Sequence, residues 1–188
     1  MGTTGDDWIE RIERAREEKR EFFRSHPHSP LPPSQRDDAF PGLEYYPVDP
    51  AYRFVLALHE HADKEQVTVS TTADGEQTYR RWGEFRFDLA GESLTLQVYR
   101  PEGEADRFWV PFRDETNGET TYPGGRYLDL EPDDHRIDDG RWVLDFNAAY
   151  NPTCAYNAGF ECPLVPTDNW LSVPVPAGEK DFPGDPHD

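Results

Sequence analysis

From Tyr52 onward the apolar residues fall on every second position, and this alternation constrains the chain more than any other feature. In "TYRRWGEFRFDL" (78–89), Phe85, Phe87 and Leu89 alternate with charges. After Ala90-Gly91, "SLTLQVYR" (93–100) carries Leu94, Leu96 and Val98 in the same rhythm. Successive side chains of a strand point to opposite faces, so each set lines one side of a sheet. "FVLAL" (54–58), "QVTVSTT" (66–72), "RFWVPFRDET" (107–116), "GRYLDL" (125–130) and "RWVLDF" (141–146) add further short strands. "LSVPV" (171–175) is a candidate edge strand, because its proline cannot donate to a ladder. Asn117-Gly118 predicts a type I′ hairpin, a turn that needs positive φ at both centres. About eight such strands make an antiparallel barrel or sandwich. The expected class is all-β with one N-terminal helix.

That helix has a different rhythm. Trp8, Ile9, Ile12, Ala15, Phe22 and Phe23 recur near the helical period, predicting a helix from Thr4 to about Phe23 in an N-terminal unit, 1–25. Glu10/Arg14, Glu13/Arg16, Glu17/Arg20 and Glu21/Arg24 sit one turn apart, each pair contributing about 0.2–0.5 kcal/mol. His26-Pro27 ends it, since proline pushes its predecessor out of the α region. Helices that lie on membranes carry lysine on the polar face, whereas this face is rich in glutamate. It is expected to pack on its own domain or on a second copy of the chain, as in a homo-oligomer. Residues 26–50 are proline-rich but hold Phe40, Leu43, Tyr45 and Tyr46, so they are expected to wrap a single β domain, 26–188.

Formal net charge is -19, with acidic residues spread along the whole length and lysine only at 19, 64 and 180. Such a surface repels nucleic-acid phosphates and anionic lipid, which excludes both as expected partners. The distribution suits a salt-rich cytoplasm, where screening shortens repulsion, and hence a halophilic archaeal source. The N-terminal stretch is charged where a signal peptide is apolar, and no run approaches membrane-spanning length. A cytoplasmic location follows as the expectation.

Chemistry is expected in two polar stretches. "DFNAAYNPTCAYNAGFECP" (145–163), within an irregular loop at 145–170, gathers Asp145, Asn147, Tyr150 and Asn151. The segment around Asn117-Gly118 supplies Arg113, Asp114, Thr116, Thr121, Tyr122 and Arg126 beside Gly124-Gly125. Irregular chain on a rigid sheet is where binding groups tend to be placed. Arg113 and Arg126 would hold an anionic group, since guanidinium forks match carboxylate and phosphate. Tyr122, Asn147, Tyr150 and Asn151 would supply hydrogen bonds, and Asp145 or Asp114 would act as acid, base or orienter. The expected function is binding of a small polar anionic metabolite at one end of the β domain, with hydrolysis or proton transfer as the simplest chemistry. The competing reading has Arg113 and Arg126 paired with Asp114 and Asp145, and the protein serving as a non-catalytic interaction module.

Cys154 and Cys162 allow three readings: buried free thiols, a disulfide, or ligands for a metal. The spacing is not that of a zinc knuckle, and no histidine lies nearby in sequence. His59 and His61 share one strand face, with Asp63 beyond, but an exposed strand end explains them without a metal. No P-loop, zinc-finger or Rossmann pattern occurs, so the cofactor is left unknown.

Four blocks then carry a family resemblance: "FPGLEYYPVDP" (40–50), "FRDETNGETTYPGGRYLDL" (112–130), "DFNAAYNPTCAYNAGFECPLVPTDNWL" (145–171) and "AGEK" (177–180). They resemble the domain of unknown function 1684 (DUF1684). The chain departs from that pattern at Val165 before Pro166, at Asp168 where glutamate is usual, and at Ala148 where a basic residue is common. The resemblance supplies no activity. It implies that both polar stretches and both cysteines belong to a shared pattern.

Overall fold

The computed structural model describes residues 3–103 and 106–188. Among these the chain order is α1 (Thr3–Ser25), β1 (Arg53–Leu56), β2 (His59–Glu60), β3 (Gln66–Ser70), β4 (Glu76–Leu89), β5 (Glu92–Pro101), β6 (Phe108–Phe112), β7 (Arg126–Leu130), α2 (Pro132–His135) and β8 (Trp142–Asp145). Met1 and Gly2 of the expected N-terminal unit lie outside the described residues. The fold is mostly β, with antiparallel sheets and one long N-terminal helix. One sheet runs β2-β4-β5-β6-β7 with β3 also on β4, and a second joins β1 to β8. No pairing among the described strands closes either sheet into a barrel.

The central ladder is the β4–β5 hairpin, turned at Ala90-Gly91 with φ of 52° and 79°. The type I′ signature expected at Asn117-Gly118 therefore appears at another position. Gly118 has positive φ, but Asn117 does not, and residues 113–125 form a long connection between β6 and β7. There the Asn117 side chain replaces a ladder, accepting from the Asp114 amide at 2.7 Å and donating to Thr121 Oγ1 at 2.9 Å. Leu171–Val175 is not a strand either. Glu115 N donates to Val173 O and Leu171 N to Arg113 O, while Val175 N donates to the Asp114 carboxylate rather than to backbone. Leu171, Val173 and Val175 still alternate into the core, so the apolar period survives without the ladder.

Two cores lie on opposite faces of the large sheet. Phe85, Phe87, Leu96, Val98, Val110 and Phe112 belong to the larger one, which β8 and residues 171–177 complete. Tyr79, Tyr99, Trp109 and Tyr127 form the smaller one with Val69 and Val165. Full burial of each large apolar side chain contributes about 1.5–3 kcal/mol, so this packing dominates the fold. β4 serves both cores because of a bulge. Arg81 pairs with Tyr99 but Gly83 with Val98, leaving Trp82 as an extra residue. One extra residue reverses the facing of everything beyond it. Tyr79 and Arg81 thus share a face with Tyr99, whereas Phe85 and Phe87 share the other with Val98. Gly83 is required where β2 crosses, since a Cβ there would stand 2.6 Å from His59 O.

Helix α1 docks on its own chain by a stripe different from the expected apolar one. Phe22 is exposed and Ala15 faces solvent, while Arg16 and Phe23 are buried. Trp8 Nε1 reaches Asp145 at 2.8 Å, Arg16 donates to Tyr46 O and Asn147 O, and Arg20 donates to Leu43 O. Residues 26–50 run beneath the helix, where Leu31 and Leu43 pack with Phe23, Tyr156 and Phe182. No described helix is long and apolar enough to cross a membrane.

Candidate functional site

Arg126, expected to face an anion, is 0% exposed. Its Nη2 donates to Asp114 Oδ2 at 3.0 Å and to Val175 O at 2.9 Å, and its Nη1 to Ala177 O and Glu179 O. Phe112 lies against the guanidinium, 5.1 Å from ring centroid to Cζ. Burial pulls the Arg126 pKa down, and Asp114 opposes that pull. Asp114 is equally engaged: its Oδ1 accepts from Thr116 N, Thr116 Oγ1 and Val175 N. The pair pins residues 175–179 to the β6–β7 connection. Both side chains are buried and bonded to other parts of the chain, and Arg126 Nε finds no partner among the described residues.

The loop beyond β8 is likewise bonded internally. Asp145 accepts from Trp8 Nε1 and from the Asn147 amide and side chain. Asn147 in turn exchanges two 2.9 Å bonds with the Asp49 backbone, holding the wrapping segment. The Asn151 side chain donates to Lys180 O, and Tyr150 donates to Asp129. Sequence reasoning missed the group at the centre of this region, Glu179, which is buried and bonded to Lys19 at 2.8 Å, Asn151 N at 3.1 Å and Tyr156 at 2.5 Å. A glutamate in "AGEK" gives no local sign of burial, because the cation that compensates it lies on α1.

Of the two arginines expected in the site, Arg113 is the half-buried one. Among the described residues its guanidinium makes no ion pair or hydrogen bond, and it lies 4.4 Å over the ring of Trp170. Its backbone is clamped parallel to residues 169–171, with Arg113 N donating to Asn169 O. Gly125 lets the chain pass close beside it: its φ is +94°, and a Cβ there would stand 2.6 Å from Phe112 O and 2.9 Å from Arg113 Cγ. Arg113 and Trp170 border a cavity of about 520 Å³, inside the ~300–1,000 Å³ range of small-molecule sites. Val67 and Val69 of β3, with Leu164 and Val165, make its apolar walls. Arg81, Tyr99 and Asp168 supply the other polar groups. Arg81 is bonded to Asp168 at 2.8 Å and to Gln97 at 3.1 Å, and burial pushes the Tyr99 phenol up to about 12. Of the expected site residues, only Arg113 lines this cavity. Trp170, 52% exposed, was legible as part of a polar loop, but nothing local indicated that it would stay outside the core.

The cysteines are both free and buried. Cys154 N donates to Cys162 Sγ at 3.3 Å, and Tyr122 Oη lies 3.4 Å from Cys154 Sγ. His61 is bonded to Gln97 rather than grouped with His59. Among the described residues no three His, Cys, Asp or Glu side chains are grouped to hold a metal.

Fold and site together define a mostly β protein whose polar loops are bonded inward around one apolar groove with an arginine at its rim. The chain belongs to the family described as Protein of unknown function (DUF1684), whose model matches residues 38–180. It is similar, at 43% identity, to an uncharacterized protein of Haloarcula marismortui solved by solution NMR. The match covers 96% of this chain and 97% of that one, with a TM-score of 0.71. No curated protein matches.

Proposed function

We propose that the protein binds a small anionic molecule with an apolar body in the groove between β3 and residues 164–170. The observation that carries this is Arg113, stacked on an exposed tryptophan and without a carboxylate partner among the described residues of a chain at net charge -19. In so acidic a surface, a cation left unpaired beside an apolar cavity favours an anion over a neutral ligand. Arg113 would hold a carboxylate or phosphate, the valines and Leu164 would cover the apolar part, and Tyr99 and Arg81 would bound the inner end. In this reading Asp114, Asp145, Asn147, Tyr150 and Asn151 hold the surrounding chain rather than the ligand, since their side chains bond to α1, the wrapping segment, β7 and residues 175–180. Binding is favoured over hydrolysis because the two aspartates expected as acid or base are turned inward. The acidic surface and the likeness to a Haloarcula protein support a salt-rich cytoplasm as its setting.

Calorimetric titration in concentrated KCl tests the reading, using octanoate and indole-3-acetate against their uncharged amides. The carboxylates should bind and the amides should bind at least ten times more weakly, about 1.4 kcal/mol. Arg113→Met should remove that preference. Equal binding of acid and amide, or an unchanged Arg113→Met, would sink the assignment.

A further inference from the structure

The two thiols, which the groove does not use, occupy an environment that a merely space-filling cysteine does not need. Cys154 sits in the one-turn helix Thr153–Ala155, and Cys162 follows the loop that this turn opens. Cys162 is clamped to the segment after β3, its N donating to Thr72 Oγ1 at 3.1 Å and its O accepting from Thr72 N at 2.9 Å. Its sulfur accepts from Cys154 N at 3.3 Å, so separately held segments bring the two residues face to face. The Tyr122 hydroxyl stands 3.4 Å from the other sulfur. Cys162 borders a cavity of about 310 Å³ together with Pro152 and Thr153, the residues just before Cys154, so a molecule the size of a peroxide would reach the pair from the Cys162 side.

We propose that Cys154 and Cys162 form a peroxide-reactive dithiol, with Cys154 as the attacking thiolate and Cys162 as the thiol that resolves it. The Cys154 sulfur attacks one peroxide oxygen; the S–O bond forms as the O–O bond breaks. The released hydroxide takes up the proton that Cys154 had given to solvent. The Cys162 sulfur then attacks the sulfenic sulfur, and water leaves with the Cys162 proton. Two thiols and one hydrogen peroxide become one disulfide and two waters. The roles follow from the hydroxyl of Tyr122, which stands 3.4 Å from Cys154 Sγ where it can donate to a thiolate, whereas Cys162 Sγ is met by the Cys154 amide. The pKa shifts agree in direction. Hydrogen bonds from Cys162, Tyr122 and Thr72 outweigh burial and draw Cys154 down to about 6, whereas the bond to Cys154 and burial push Cys162 up. Tyr122 stays protonated as a donor, because burial and the adjacent sulfur raise its phenol above the ordinary value.

The test begins with reduced wild-type protein and one equivalent of hydrogen peroxide, followed by intact mass and peptide mapping. The expected product has lost two hydrogens, carries a Cys154–Cys162 crosslink within one chain, and reverts with dithiothreitol. In Cys162→Ser, peroxide with dimedone should label Cys154, and Cys154→Ser should give no label at Cys162. Iodoacetamide should alkylate wild-type Cys154 with a rate rising through pH 6. Persistence of both thiols while free cysteine in the same tube is oxidised would overturn the proposal. A dimedone label on Cys162 instead would overturn the assignment of roles. The wild-type mass measurement decides the matter even if either variant fails to fold.

Discussion

Arg126→Met tests the claim that this arginine holds the fold together rather than a ligand. The substitution keeps a long apolar stem beside Phe112 but removes the cation from Asp114 and the donors from Val175 O, Ala177 O and Glu179 O. Asp114 retains three donors, so it stays hydrogen-bonded but loses its compensating charge. Breaking a buried pair by deleting one partner costs about 3–5 kcal/mol. For a chain of this size each kcal/mol shifts Tm by ~2–4 °C, giving a fall of about 6–20 °C. Urea unfolding in concentrated KCl, followed by tryptophan fluorescence, should show the same loss in midpoint with an unchanged slope. The double variant Asp114→Asn/Arg126→Met should be less destabilised than the two single losses added, since it leaves no charge uncompensated. Arg113→Met should cost no more than about 1 kcal/mol, the scale of an exposed cation–π contact. A loss below about 1 kcal/mol for Arg126→Met would refute the reasoning, because a cation free to be lost is not a structural one.

Two further outcomes follow from the same structure. Ala90 holds φ of 52° in the β4–β5 turn, a left-handed conformation that disfavours an L side chain by about 1–2 kcal/mol; Ala90→Asn should therefore raise stability by about 0.5–1 kcal/mol in the same urea assay, and destabilisation would show that the turn does not limit it. Burial raises the phenols of Tyr45, Tyr127, Tyr150 and Tyr156 above the ordinary value of 10. Their folded-state pKa exceeds the unfolded one, so the stability they contribute is full below pH 10 and falls as pH climbs beyond it. Phenolate absorbance should appear together with loss of the circular-dichroism signal in one transition above pH 10; most tyrosines titrating near 10 in a folded protein would contradict their burial.

The candidate site was less legible than the strands. Both polar stretches do come together with the C-terminal segment, yet Arg126 and Arg113 have reversed exposures that neither flanking sequence distinguishes. Both follow or precede alternating apolar residues, and only the position of residues 175–179 determines that one is covered. Lys19 and Glu179 illustrate the same limit, since each looks like an ordinary surface charge until α1 is laid against the loop.

The sequence by itself determined the alternation of β4 to β8, the helix and its ending at His26-Pro27, and the acidic surface, because period, propensity and charge are properties of neighbouring residues. It even placed Ala90-Gly91 between two matched strands. Which side of β4 each residue faces was settled only in three dimensions. The continuous odd-numbered run Tyr79, Arg81, Phe85, Phe87 reads as one face, but the extra residue at Trp82 sends its first half to the smaller core and the groove, and its second half to the larger core. A bulge is a mismatch between two strands, so it has no signature in either strand alone. Tertiary pairing likewise decided that Arg113 lies over Trp170 with no ion pair among the described residues, while Arg126 is sealed against Asp114. Burial depends on what distant segments cover, and local sequence carries no record of that.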